Sequence, residues 1–180
     1  MTKPQVKVWD PLVRIGHWAL LTCVIGAWLT GENTGRWHEW LGYATLFIVA
    51  LRLVWGVAGS GYARFTKFVR GPRNTFSYAR LFFTASEPRY VGHNPLGAWM
   101  IVALLGVVVA TGITGWAFTT DAFWGDPLMS DLHEGLAIAL LVLAALHLTG
   151  VVFASLRHRE NLVASMVHGH KRAPGNDDIT

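Results

Sequence analysis

Cysteine is nearly absent: Cys23 is the only one in 180 residues. A lone cysteine forms no disulfide within the chain, and supplies neither a cysteine-based zinc site nor a thiolate-held cluster. Lying in an apolar run, it reads as a small core residue. Charge is scarce too, at 14% against about 25% in an ordinary soluble domain. A chain this poor in charge, with 52% hydrophobic residues and a mean hydropathy of +0.36, takes lipid rather than water as its main solvent. The balance is basic, +4 with a pI near 9.6. The bases do not form a nucleic-acid surface, because they avoid the long apolar runs and cluster between them, as in the cytoplasmic loops of membrane proteins. Nine tryptophans fit the same picture, since indole favours the membrane–water interface.

Four apolar segments are present, near Leu12–Leu29, Glu39–Ala58, Pro95–Phe118 and Leu132–Leu156. Each approaches the ~20 residues needed to cross a bilayer core. Asp10-Pro11 and Asn94-Pro95 read as helix caps followed by proline at the first helical position. Ser130 or Asp131, with Glu134, is expected to start the fourth helix. Lys3 and Lys7 precede the first segment, but Arg14 and His17 interrupt it and no A-x-A site closes it, so it reads as a retained helix rather than a leader.

Bases crowd the N-terminus, the loop between the second and third segments (Arg64, Lys67, Arg70, Arg73, Arg80, Arg89) and the C-terminal stretch (Arg157, Arg159, Lys171, Arg172). The other two loops carry Glu32, Arg36, Asp121 and Asp126. The positive-inside rule then places both termini in the cytoplasm. The expectation is an all-α, integral membrane four-helix bundle over residues 1–160, followed by a basic, disordered cytoplasmic tail over 161–180. Aromatic residues among the bases of the long loop predict an amphipathic helix at the interface.

Four of the eight histidines, His17, His38, His133 and His147, lie in or at the ends of the apolar segments. Burying an ionisable group in a membrane costs several kcal/mol unless something compensates. His147 follows His133 by 14 residues, nearly four turns, so both rings share a helix face with about 21 Å between them. Counted by depth, His38 pairs with His133 near the outer side and His17 with His147 near the inner side. Zinc or copper held by two histidines alone would be under-coordinated, whereas porphyrin iron needs only two axial ligands. Gly16, Gly42, Gly135 and Gly150 adjoin these histidines, where they make room for a porphyrin or serve ordinary helix packing. Arg52, 14 residues after His38, and Arg14 are candidate contacts to haem propionates or a quinone. His93 is a third quinone-site candidate. His158, His168 and His170 read as solvated.

Trp9-Asp10-Pro11 with Arg14 and His17-Trp18, His38 with Gly42-Tyr43, Arg52 with Trp55-Gly56, Gly92-His93-Asn94-Pro95-Leu96-Gly97, Thr111-Gly112-Ile113-Thr114-Gly115, His133-Glu134 and His147-Leu148-Thr149-Gly150 resemble, in that order, the bacterial cytochrome b561 and nickel–iron hydrogenase cytochrome b family. The resemblance covers residues 5 to about 160. It implies a four-helix core in the bacterial cytoplasmic membrane, two non-covalent b haems on His17, His38, His133 and His147, and electron exchange with quinone. Members serve a periplasmic c-type cytochrome or a hydrogenase, or oxidise superoxide at the outer face. The small outer loops, with Arg36 against three acids, disfavour a cationic funnel for superoxide. Without C-x-x-C-H the chain holds no covalent haem of its own. A homodimeric state stays open, and metal-ion transport is the non-redox alternative.

Overall fold

The structure is a computed structural model that describes residues 4–32, 36–59, 61–84 and 86–180. It is mostly helical. In chain order the elements are β1 (Gln5–Lys7), α1 (Pro11–Thr30), α2 (Arg36–Ala58), a 3-10 turn (Gly61–Ala63), α3 (Phe65–Phe68), α4 (Pro72–Phe83), α5 (Pro95–Phe118), α6 (Pro127–Arg157), α7 (Leu162–His168) and β2 (His170–Arg172). Helices α1, α2, α5 and α6 are long and apolar enough to cross a membrane. They expose large apolar side chains that a water-soluble fold would bury, among them Leu29, Phe47, Val57 and Leu148. In lipid this costs nothing, and each helix satisfies its own backbone hydrogen bonds.

The helix starts reflect local chemistry. Asp10 Oδ1 accepts from the Val13 amide at 2.9 Å, and Asn94 Oδ1 accepts from the Gly97 amide at 2.7 Å, so both Asx-Pro signals begin helices as expected. The fourth helix begins earlier than expected from Ser130 or Asp131. Asp126 Oδ1 accepts from the amides of Leu128 and Met129, and α6 starts at Pro127. Asp126-Pro127 is a third copy of the same signal, and it prevails over Ser130 and Asp131.

Two compact units are formed by non-contiguous stretches. One comprises Met1–Arg14, Val54–Ile101 and Leu146–Thr180. Here β1 and β2 pair antiparallel, Val6 opposite Lys171. Val8, Trp9 and Val91 form a small core against Val6, Tyr62 and Met166. Asp10 Oδ2 accepts from Trp55 Nε1 at 2.8 Å, tying the N-terminal segment to α2.

Residues 161–180 differ from the expected disordered tail. Asn161 caps α7 through its side chain, and Gly169 closes it in the left-handed conformation, φ +89°. The Gly169 carbonyl then accepts from the amides of Val8 and Trp9. Arg89 anchors β2 and the residues beyond it. It donates to Glu160 at 2.8 Å, to Asp178 at 2.5 Å and to the Arg172 carbonyl at 2.9 Å, with all three charged side chains largely buried. Burial alone would raise the carboxyl of Glu160, but its hydrogen bonds to Arg89 and the Arg172 amide hold it below its ordinary value. Low hydrophobicity made this stretch look unstructured, yet paired strands and a buried arginine order it.

The other unit comprises Ile15–Leu53 and Val102–Ala145. Small residues permit close helix approach: a Cβ at Gly26 would meet Leu41 at 3.0 Å, and one at Gly112 would meet Leu46 at 2.5 Å.

Candidate haem site

His38 and His133 come together within that second unit. Their ring centroids are 6.0 Å apart and their planes nearly perpendicular, at 85°. Two imidazoles ligating one metal ion through nitrogens at about 2 Å have centroids about 6 Å apart. The remaining nitrogens are spoken for. His38 Nδ1 donates to the Ala27 carbonyl at 2.9 Å, and His133 Nδ1 donates to the Thr111 carbonyl at 3.0 Å, with Thr114 Oγ1 at 3.2 Å. A proton held at Nδ1 leaves each Nε2 lone pair available to a metal and fixes the ring's orientation.

Helix α5 contributes no histidine, yet it seats one. A Cβ at Gly115 would fall 2.8 Å from His133 Cε1, so only glycine lets this ring lie against the helix. The Thr114 hydroxyl also donates back to the Ala110 and Thr111 carbonyls at 3.0 Å, which keeps that turn in place. Ala27, Thr111, Thr114 and Gly115 were not read as site residues from sequence. The signal for the last three was the Thr-Gly-Ile-Thr-Gly run, which carried the family resemblance without an assigned part.

A Cβ at Gly42, one turn from His38 and half-buried, would meet nothing within 4 Å, unlike the packed Gly26 and Gly112, so space lies beside that ring. Gly16, Gly135 and Gly150 are open as well, but Gly135 and Gly150 are exposed, and Gly135, two residues from His133, lies on the opposite face of α6. Among the described residues no three His, Cys, Asp or Glu side chains gather to hold a metal ion by themselves. Paired imidazoles with free Nε2 atoms and open space beside them fit haem iron.

His17, half-buried on α1, meets Trp18 edge-on at 5.5 Å. His147 and Arg52 are half-buried on α6 and α2. His93 lies in the first unit between Trp9, at 4.6 Å, and Phe68, at 4.5 Å. The same Trp9 carries Lys171 Nζ 5.2 Å from its ring centroid and donates to Ser165 Oγ at 3.2 Å. Lys171, expected in a basic, disordered tail, is instead buried and donates to the Gly92 carbonyl at 3.3 Å. Burial, outweighing the attraction of Glu160, lowers its ammonium pKa to about 8. Arg14 is nearby: a Cβ at Gly169 would fall 2.6 Å from Arg14 Nη1, so glycine there admits the guanidinium. Arg14 Nε is buried without a hydrogen-bond partner among the described residues.

The profile of the prokaryotic cytochrome b561 family matches residues 8–169. The chain belongs to that family. It is a multi-pass membrane cytochrome that carries b-type haem and transfers electrons. Two relatives bear the name "Probable Ni/Fe-hydrogenase B-type cytochrome subunit". One, from Rhodobacter capsulatus, is 30% identical over 94% of this chain and 82% of its own length. The other, from Bradyrhizobium diazoefficiens, is 24% identical over 94% of this chain and 87% of its own. No solved structure matches.

Proposed function

We propose that this b561-family chain conducts electrons across the bacterial cytoplasmic membrane between the quinone pool and a periplasmic redox protein. Two b haems serve, one held by His38 and His133 and the other by His17 and His147. The observation that carries the reading is the His38–His133 pair, 6.0 Å between centroids with both Nδ1 atoms committed to carbonyls. Bound b haem supplies reversible one-electron chemistry at its iron. The chain's own part is to hold the rings. The Ala27 and Thr111 carbonyls fix the tautomers, Gly42 leaves space beside His38, and the apolar helices exclude water.

The second centre is supported by the 14-residue interval that separates both His133 from His147 and His38 from Arg52. Both termini are assigned to the cytoplasm on the distribution of bases, which puts His17, His147, Arg14, Arg52 and His93 toward the inner side. Arg14 and Arg52 are proposed to face propionates or a quinone. His93, in its aromatic enclosure, is proposed at the quinone end, where transfer of electrons also requires protons.

The names of the two relatives support a hydrogenase as the periplasmic partner. A c-type cytochrome is the alternative that the small outer loops also suit. Reconstitution into liposomes containing ubiquinone or menaquinone separates them. Reduction of the haems by hydrogen plus hydrogenase, followed by quinol formation, supports the first. Reduction by quinol and reoxidation by added c-type cytochrome supports the second. Failure of quinone or quinol to exchange electrons with the haems under either condition contradicts the quinone reading.

A further inference from the structure

From Trp40 to Ser86 the sequence contains no acidic residue, while five bases, Arg64, Lys67, Arg70, Arg73 and Arg80, fall within the second half of that interval. All five are exposed, and none forms an ion pair among the described residues. A soluble surface with this many bases ordinarily interleaves acids. The missing counter-charge is the first observation.

The second is the face that α4 leaves open. Its inner side is packed: Tyr78 is buried and meets Tyr90 at 5.5 Å, and Phe82 meets Phe153 of α6 at 4.9 Å. Its outer side carries Phe76 and Phe83, seven residues apart and therefore on one face, 68% and 85% exposed. Arg73 and Arg80, also seven apart, flank that apolar stripe. Apolar side chains bordered by arginine along one face of a short helix match a helix lying in the plane of the interface.

The third observation sets the height. Phe153 belongs to the last turns of α6, which ends at Arg157. Trp99, in the first turns of α5, donates from Nε1 to the Arg70 carbonyl at 3.1 Å. The α3–α4 segment is thus pinned to the ends of two membrane helices, at the level where lipid headgroups lie.

We propose that the segment Arg64–Phe83 is a binding surface for anionic phospholipid, with Phe76 and Phe83 entering the acyl boundary and the five bases meeting headgroup phosphates. A base near an anionic membrane surface is worth about a fivefold preference. Arg70, Arg73 and Arg80 together then favour anionic over zwitterionic lipid by on the order of a hundredfold. The surface is independent of the quinone reading, because it needs only that the chain spans a membrane.

The test is amide hydrogen exchange of the whole chain in nanodiscs of pure phosphatidylcholine and of phosphatidylcholine mixed with phosphatidylglycerol. Exchange over residues 72–83 is expected to slow at least tenfold with phosphatidylglycerol, to return toward the phosphatidylcholine rate in high salt, and to lose its lipid dependence in Arg70→Gln/Arg73→Gln/Arg80→Gln. Phe76→Ser/Phe83→Ser is expected to quicken exchange in both lipids. The four long helices, monitored in the same spectra, report whether each variant folds. Equal exchange in the two lipids for the parent chain overturns the proposal even if a variant fails to fold. So does undiminished lipid dependence in the arginine variant, which would assign the effect to other residues.

Discussion

Replacing Gly115 with alanine adds one methyl group where the structure has no space for it. The new Cβ falls 2.8 Å from His133 Cε1 and 3.2 Å from Nδ1. Carbon atoms settle about 3.5–4.0 Å apart, so the ring must retreat by about 0.7–1.2 Å. Ligand bonds tolerate deviations of only about 0.2 Å, and the retreat also draws Nδ1 off the Thr111 carbonyl. Overpacking of this kind costs about 1–3 kcal/mol, equivalent to about a five- to hundredfold weaker hold on the haem at this centre. Gly106→Ala on the same helix is the control, because a Cβ there meets nothing within 4 Å. The assay is haem per polypeptide by pyridine haemochrome, with midpoint potentials from a spectroscopic titration. Gly115→Ala is expected to lose or shift one centre and spare the other, and Gly106→Ala to keep both. Parental haem content and potentials in Gly115→Ala would refute the reasoning.

Thr114→Val removes the hydroxyl shared with His133 Nδ1 but leaves the Thr111 carbonyl. The haem is expected to stay while the ligand becomes less basic, so that the potential of this centre rises in the same titration. Arg89→Met strands the buried carboxylates of Glu160 and Asp178 and should destabilise the C-terminal stretch by about 2–3 kcal/mol, read as faster hydrogen exchange over 161–180 with the long helices unchanged. Burial raises both Glu160 and Asp178, but their bonds to Arg89 and to backbone amides hold them below their ordinary values of 4.5 and 3.8. Their contribution is therefore full above those values and is lost as pH falls through the lower, folded ones; acid titration monitored by exchange of 161–180 checks this. Lys171 has the same sense in an alkaline window: lowered by burial from 10.5 to about 8, it makes the folded stretch more stable as pH rises between those values, and Lys171→Met should abolish that alkaline gain.

The parts legible in the sequence are those set by period and local chemistry. Long apolar runs gave the four helices, and Asp10-Pro11 and Asn94-Pro95 gave two of their starts. The pairing of His38 with His133 came from counting depth along helices, since rise per residue is nearly constant. The features hidden from sequence depend on contacts between distant segments. Nothing local reveals that Gly115 clears a space for a ring 18 residues later, or that Ala27 offers its carbonyl to His38. The C-terminal stretch looked disordered because its order comes from Arg89, more than 70 residues away, and from pairing with β1. Lys171 was read as part of the disordered basic tail, while its neighbours across the strand bury it.

The central claim is that two histidine pairs each hold one b haem. The most direct test is haem stoichiometry and the reduced-minus-oxidised spectrum of the purified chain and four variants. Two haems per chain are predicted, with His38→Ala and His133→Ala losing one and the same spectral component, and His17→Ala and His147→Ala losing the other. A single haem, or a spectrum in which His38→Ala and His133→Ala remove different components, would contradict the pairing.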